Sequence, residues 1–508
     1  MSGASIDLHD LAARIDAAQV YALARRTPLQ HAATLSRRLG RPVWLKREDL
    51  QDVFSFKIRG AANRMAALSD AEKARGVCAA SAGNHAQGVA MSAAHFGIKA
   101  LIFMPVTTPV IKVAAVEARG ARTRLVGDSY DEACEHAQAY AEETGAVFIH
   151  PFDEIDVIAG QGTIAKEILE QAPRDIAAIY VCTGGGGLIA GIGAYCHIRA
   201  PKTQIIAVEP IGAETLGAAL RAGHPVSLDH VDGFADGVAV RRIGERTFSI
   251  AQRVVHDSLT VTNDEISAAV KDIFEETRTV VEPAGALALA GLKRAVADGT
   301  APDGDCIVTI SGANVNFDRI GHIVERAELG AGEEMLFSAI IPEQRGAFLN
   351  FVHALGPRAV TEFSYRYQDH QDAHLLVGMK IKSGTERDAV LKALAQANVR
   401  ATDLSHDRLA KRHLRHMGGG RGDASLTEVL YRVEFPERPG ALAQFLTALD
   451  KRWNISLFHY RNHGAAEGHV LCGFHLPDDD KTELEESLHR LGFPVWEETE
   501  NPAVRLFL

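Results

Sequence analysis

The sequence predicts an α/β protein: a mostly parallel sheet covered on both faces, followed by two small α+β units. Three observations predict it. Short apolar runs alternate with longer amphipathic stretches as far as about Glu325, which is the pattern of strands buried on both faces and connected by helices. The remaining chain repeats itself at an offset of 94 residues. A length of 508 residues exceeds a single core, so two to four domains are expected at roughly 100–200 residues each.

Residues 1–42 read as a helical lead-in, with a turn at Arg26-Thr27-Pro28-Leu29 between two helical segments. The run Val43-Trp44-Leu45 ends in the charged Lys46-Arg47-Glu48-Asp49. It leads to Ser55-Phe56-Lys57-Ile58-Arg59-Gly60 and then to an Ala-rich helical segment. Strand-like runs follow at 77–80, 100–104, 122–126, 146–149, 176–182, 204–208 and 306–310. Ser69-x-x-Glu72 and Thr262-x-x-Glu265 fit capping boxes that open helices. Residues 176–198 carry no Asp, Glu, Lys or Arg, but four consecutive glycines interrupt them. They read as buried strand, glycine loop and helix, with neither side long enough to cross a bilayer.

In the repeat, Ile341-Pro342-Glu343-Gln344-Arg345-Gly346-Ala347-Phe348 matches Phe435-Pro436-Glu437-Arg438-Pro439-Gly440-Ala441-Leu442. Each copy reads as strand, tight glycine turn, helix, strand, then a further strand and helix. The glycine-rich stretch 418–422 reads as linker.

Composition narrows the function. Apolar residues make up 46% and charged residues 23%, as in an ordinary globular protein. A net charge of −11, with no basic arm, argues against a nucleic-acid or anionic-membrane partner. Six cysteines without a Cys-x-x-Cys pair suggest reduced, buried thiols rather than disulfides or a zinc site. No metal site is expected. The N-terminus lacks an apolar signal segment, and a cytoplasmic location is expected.

Three loops carry chemistry. Thr183-Gly184-Gly185-Gly186-Gly187-Leu188 follows a strand and opens a helix, where converging backbone amides favour a phosphate. It fits neither a Gly-x-Gly-x-x-Gly dinucleotide loop nor a Walker A loop. Ser81-Ala82-Gly83-Asn84-His85-Ala86-Gln87-Gly88 also opens a helix. Its amides could hold a carboxylate, and Asn84 could donate to a phenolate-like oxygen. As plain structure, the same residues cap a helix and half-bury a histidine. Ser311-Gly312-Ala313-Asn314 follows a strand, and Ser311 could face a ring nitrogen or act as a cap. Lys57, where a loop becomes a helix behind an aromatic ring, is a surface lysine by position alone. Alongside the other three loops it completes the set that a pyridoxal phosphate site needs: a Schiff-base amine, an anion loop, an amide donor and a strand-end hydroxyl. All lie at strand ends, where open α/β sheets bind ligands.

On these motifs the chain resembles the fold-type II pyridoxal phosphate enzymes and, within them, the biosynthetic threonine dehydratases. Lys46-Arg47-Glu48-Asp49, Ser55-Phe56-Lys57, 81–88, 184–188, Glu282-Pro283-Ala284-Gly285-Ala286 and 311–314 carry the resemblance in the head. Val360-Thr361-Glu362-Phe363 and 453–461 carry it in the tail. The resemblance implies a tryptophan synthase β-like catalytic region over 1–325, with about 60–150 as a smaller subdomain. It implies a connector at 326–334, ACT-like regulatory domains at 335–407 and 427–508, and a linker at 408–426. It also implies that Lys57 carries pyridoxal 5'-phosphate as a Schiff base with Phe56 near the ring. Gly184, Gly185, Gly186, Gly187 and Leu188 would hold the phosphate, Asn84 the ring 3′-oxygen and Ser311 the ring nitrogen. Ser81, Ala82, Gly83, Asn84 and His85 would receive the substrate carboxylate.

The activity implied is β-elimination of L-threonine to 2-oxobutanoate and ammonia, the committed step of isoleucine biosynthesis, with the preference between L-threonine and L-serine left open. Isoleucine inhibition, valine activation and a homotetramer are implied with it. Effector contacts are placed at Gly346, Phe348, Tyr365, Gly440, Leu442 and Tyr460. Glu282 is left between a place near the cofactor or a cation and a solvated helix start. Asp128, Asp131 and Asp153 read as helix-start or loop residues. The rival readings are another fold-type II enzyme, such as a serine dehydratase or threonine synthase, and an amino-acid sensor without catalysis.

Overall fold

The computed structural model describes residues 6–330, 334–342, 351, 354–355, 360–367, 372–381, 384–407, 409–410, 427–436, 454–461, 467–476, 480–490 and 492–507. Contacts divide the chain into Met1–Ala327 and Glu328–Leu508.

The first unit holds β1 (Leu29–His31), β2 (Val43–Arg47), β3 (Val77–Ala80), β4 (Ala100–Met104), β5 (Arg122–Leu125), β6 (Val147–Phe148), β7 (Ile176–Cys182), β8 (Gln204–Pro210), β9 (Asp257–Val261) and β10 (Asp305–Ile310). They form two sheets. The larger runs β1-β2-β10-β7-β8-β9 and is parallel except at β1. Consecutive residues from Ala178 to Cys182 are buried, so both faces of its centre are covered. β1 and β9 are absent from the apolar runs. β1 has three residues, and β9 is an edge strand in which polar residues alternate with Leu259 and Val261.

The smaller sheet runs β5-β4-β3-β6, all parallel. Alternate residues of β3 enter two different cores. Val77 and Ala79 join Met65, Val89 and Ala93 from the helices Lys57–Ala66 and Asn84–His95. Cys78 and Ala80 join Ala133 and Ala137 from the helix Tyr130–Thr144. Both expected capping boxes are formed.

The helix Lys57–Ala66 is wedged between two others. A Cβ on Gly88 would stand 3.2 Å from the Lys57 backbone, and one on Gly160 would stand 2.7 Å from Gly60 Cα. At Gly160 there is no room for a side chain, and at Gly88 one fits only if the lysine helix gives by a few tenths of an ångström. Beneath the helix lies a dry ionic cluster. Arg59 bonds Glu48 at 2.7 Å and Glu167 at 2.6 Å, and Lys46 bonds Glu167 at 2.5 Å, all four side chains being buried. Thr27, Gln51 and Tyr21 take the remaining carboxylate lone pairs.

The second unit contains β11 (Glu334–Pro342), β12 (Val360–Tyr367), β13 (Asp372–Lys380), β14 (Arg400–Asp403), β15 (Thr427–Pro436), β16 (Asn454–Arg461), β17 (Glu467–Leu476) and β18 (Val495–Glu497). Two antiparallel sheets result, β12-β13-β11-β14 and β16-β17-β15-β18, which realise the repeat strand for strand. Even the register shift at Val360/Glu362 recurs at Ile455/Leu457. Each copy has a short fourth strand, β14 or β18, that the reading of strand, helix, strand, strand and helix did not include. One face of each sheet packs on its own helix, Gly384–Gln396 or Lys481–Arg490. Leu336, Leu376, Leu430 and Leu471 form a core shared by the two copies.

Of the effector candidates, Gly346, Phe348, Gly440 and Leu442 lie outside the described residues. Tyr365 is on β12 opposite Leu375, and Tyr460 is on β16 opposite Val470. No described helix is long and apolar enough to cross a membrane.

Candidate active site

The C-terminal ends of β2, β3, β7 and β10 all feed one pocket. Its lining includes Phe56, Lys57, Asn84, Gly184, Gly185, Gly186, Gly187, Leu188 and Ser311, which come from four separate stretches of chain. A zipper brings the lysine loop to the serine segment. Phe56 N donates to Ser311 O at 3.1 Å, Ala313 N donates to Phe54 O at 2.8 Å, and Ser55 bridges Gly312. Phe54 is held there at φ +55°, a left-handed conformation unfavourable for a bulky side chain.

Lys57 begins its helix, and its Nζ donates to the Pro151 carbonyl at 3.0 Å. The same nitrogen lies 5.2 Å from the centre of the Phe56 ring. Burial lowers its pKa to about 8, against the opposing pull of Cys182 and Glu282. A useful fraction of the amine is therefore neutral near physiological pH.

In the glycine loop, the glycines have local causes. A Cβ on Gly184 would meet the Val238 backbone at 2.6 Å, and one on Gly187 would lie 3.0 Å from Phe152. A Cβ on Gly185 would collide with the Phe152 ring. Gly186 adopts φ +89°. The run of glycines is thus explained by close packing and one left-handed residue. The pointer to an anion is different. Thr215 Oγ1 donates to Gly184 O at 3.0 Å, and Thr247 Oγ1 donates to Gly185 O at 2.7 Å. Gly186 O accepts from Ala190 N. The amides of Gly184, Gly185, Gly186, Gly187 and Leu188, in contrast, donate to no acceptor among the described residues. Carbonyls tied back and amides left over at a helix start form a cradle that fits a phosphate.

Ser311 Oγ donates to Ala284 O at 3.2 Å beside the buried Cys182. The Asn84 side chain is held at both ends: its Nδ2 donates to Glu282 Oε1 at 2.6 Å, and its Oδ1 accepts from Asn314 Nδ2 at 2.7 Å. Glu282 is 3% exposed and lines the pocket, so the solvated alternative for it is wrong. Burial, then Asp236, raise its carboxyl to about 7, partly offset by the Asn84 bond. His85 is not half-buried but 3% exposed. Its Nε2 meets the Ile149 carbonyl at 2.9 Å, which requires the proton on that nitrogen, and burial lowers its pKa to about 3. Ser81, Ala82 and Gly83 are partly exposed beside Asn84, and neither they nor His85 are among the lining residues.

Sequence reasoning missed Phe152, Cys182, Gly237, Val238 and Ala284, which also line the pocket. It also missed the work of Asp153, whose Oδ1 accepts from Thr247 N at 3.0 Å and so steadies the clamp on Gly185. The one available signal was His150-Pro151-Phe152-Asp153 following a strand, the same context as the other three loops.

A partly neutral lysine in one pocket with a cradle of free amides, and an uncharged hydroxyl at a third wall, fits an enzyme that works through an aldehyde cofactor bearing a phosphate. The family model of pyridoxal-phosphate dependent enzymes matches residues 20–312, and that of the C-terminal regulatory domain of threonine dehydratase matches 325–414 and 420–508. The biosynthetic L-threonine dehydratase IlvA of Burkholderia multivorans is 48% identical over 98% of this chain and 99% of its own. The Escherichia coli protein of that name is 48% identical over 97% of this chain and 95% of its own. Among solved structures, the processed threonine deaminase isoform 2 of Solanum lycopersicum is 45% identical with a TM-score of 0.63. It covers 64% of this chain and 90% of its own. Maize serine racemase is 32% identical with a TM-score of 0.58, covering 63% of this chain and 97% of its own. The chain belongs to the pyridoxal phosphate dependent enzymes, in the family of the biosynthetic threonine dehydratases.

Proposed function

We propose that this enzyme deaminates L-threonine to 2-oxobutanoate and ammonia, opening isoleucine biosynthesis in the cytoplasm, and that isoleucine inhibits it through the C-terminal unit. The observation that carries this is a likeness to biosynthetic dehydratases that runs through both units rather than the first alone. Domain limits follow as 1–325, with a subdomain near 60–150, then 335–407 and 427–508. Valine as activator and a homotetramer belong to the same reading.

When bound, pyridoxal phosphate supplies an aldehyde that condenses with amines and a ring that accepts the electron pair left at Cα. The chain's own residues supply the rest. Lys57 would hold the aldehyde, and its amine would be the base that takes the Cα proton. A pKa near 8 suits that general-base role. The five free amides from Gly184 to Leu188 hold the phosphate dianion without a charged side chain. Ser311 would offer the ring nitrogen a neutral hydroxyl in place of a carboxylate, which does not favour a protonated ring. The turn from Ser81 to His85 receives the substrate carboxylate at the start of its helix.

The test is 2-oxobutanoate formation from threonine by the cofactor-loaded enzyme, with isoleucine and valine added in turn. Turnover lost with isoleucine and regained with valine is expected. Turnover indifferent to isoleucine removes the regulatory assignment, and a coloured but inactive enzyme removes the reaction.

A further inference from the structure

The fourth residue of Ser311-Gly312-Ala313-Asn314 has no role in the reaction as described, yet it ends a chain of hydrogen bonds that begins at a backbone carbonyl. Asn314 Nδ2 donates to Val53 O at 2.7 Å and to Asn84 Oδ1 at 2.7 Å. Asn84 Nδ2 in turn donates to Glu282 Oε1 at 2.6 Å.

The direction of this chain is not arbitrary. A carbonyl only accepts, so the Asn314 atom against Val53 must be nitrogen. The same nitrogen reaches Asn84, so the Asn84 atom facing it must be oxygen. The nitrogen of Asn84 then has to turn the other way. One of its hydrogens goes to Glu282, which leaves the second for the pocket that Asn84 lines. Glu282 alone could not impose this order, because a protonated carboxyl can donate as well as accept, whereas the Val53 carbonyl cannot.

We propose that Asn314 is a positioning residue: anchored on the Val53 carbonyl, it forces Asn84 to present N–H rather than C=O to the pocket. That wall of the site is thereby committed to an electron-rich oxygen, the ionised ring hydroxyl of the cofactor, an assignment that rests on the proposed place of the ring beside Asn84. The zipper between residues 53–56 and 311–314 supplies the rigidity. The residues that bring Lys57 to Ser311 therefore also fix the polarity of the opposite wall.

The test compares Asn314→Asp, Asn84→Ala and the double variant, each loaded with pyridoxal phosphate, by visible absorption and cofactor dissociation constant. An aspartate can donate to neither Val53 nor Asn84, so the Asn84 amide turns over and offers oxygen to the pocket. Asn314→Asp is expected to weaken cofactor binding about tenfold, the equivalent of one hydrogen bond. Its absorption should move from the visible toward the near ultraviolet as the ring oxygen regains its proton. In the Asn84→Ala background the same substitution should change neither quantity, which a merely structural role would not predict. Unchanged absorption in Asn314→Asp overturns the inference, as does a full shift that persists without Asn84. If Asn84→Ala leaves the spectrum untouched, the place of the ring itself is wrong. Should Asn314→Asp not fold, Asn314→Ala serves: it unsets the Asn84 amide, and a smaller shift in the same direction is expected, none being fatal to the proposal.

Discussion

Two regions beside Lys57, the ionic cluster under its helix and the glycine loop of the pocket it lines, treat buried polarity in opposite ways. Under the lysine helix, Lys46, Glu48, Arg59 and Glu167 are fully paired, and every carboxylate oxygen has a donor. At the glycine loop, the carbonyls of Gly184, Gly185 and Gly186 are paired while five amides in a row find no acceptor among the described residues. Buried polar groups are normally satisfied, so the first region is complete as a protein and the second is shaped to take an anion. Lys57 stands between them. It is buried like Lys46, but its partner is a carbonyl rather than a carboxylate, and it is the lysine left with chemistry to do.

The largest effect should come from removing that exception. Lys57→Ala is expected to lower threonine turnover by about 10³-fold or more, because one side chain serves as both carrier and base. Near-normal turnover would place Lys57 among the scaffold residues and end the contrast. Breaking the paired cluster should act on stability instead. Arg59→Met leaves Glu48 without its paired cation and Glu167 with Lys46 alone in a dry site, at about 3–5 kcal/mol by denaturant unfolding of the apoenzyme. A loss below about 1 kcal/mol would mean that water reaches the cluster.

This contrast also explains what could be read from the sequence. Lys57, the glycine loop and Ser311 were legible because each sits in a local pattern, a strand end followed by a helix. The repeat was legible because Gly346 and Gly440 punctuate equal runs. Pairing across the chain was not. Arg59 meets Glu167 at a sequence separation of 108, and Asn84 meets Glu282 at a separation of 198. A carboxylate bound for such a partner looks, in sequence, like a solvated one, which is how Glu282 and Asp153 read. β9 escaped because an edge strand needs only one apolar face, and its alternation is too short to stand out.

The pH dependence of apoenzyme stability sharpens the difference between the lysine and its neighbour Glu282. Lys57 titrates near 8 when folded and near 10.5 when unfolded. Between these values the unfolded chain binds more protons, so stability rises with pH across that window. Glu282 is raised to about 7 from 4.5, so the folded chain binds more protons and stability falls between pH 4.5 and 7. Each swing is on the order of 3 kcal/mol. Glu209 is likewise raised to about 7, and burial lowers His85 and His150, so each share is read as a difference: parent minus Lys57→Met should rise between pH 8 and 10.5, and parent minus Glu282→Gln should fall between pH 4.5 and 7. A difference between parent and Glu282→Gln that stays flat across pH 4.5–7 would assign that proton elsewhere.

The smallest effect probes how the glycine loop is aimed. Thr247 Oγ1 donates to Gly185 O at 2.7 Å and is itself placed by Asp153 through the Thr247 amide. A peptide unit is rigid, so fixing the Gly185 carbonyl also fixes the direction of the Gly186 amide that shares its plane. Thr247→Val keeps the shape and removes the donor. It should cost the apoenzyme about 1 kcal/mol, the worth of one hydrogen bond, and weaken cofactor binding about tenfold, because an amide in the cradle swings with the freed carbonyl. Thr215→Val should do the same through Gly184 O, to which Thr215 donates at 3.0 Å. If both variants bind the cofactor as the parent does, the loop is aimed by the packing of Phe152 and Val238 against its glycines, and the paired carbonyls are only its consequence.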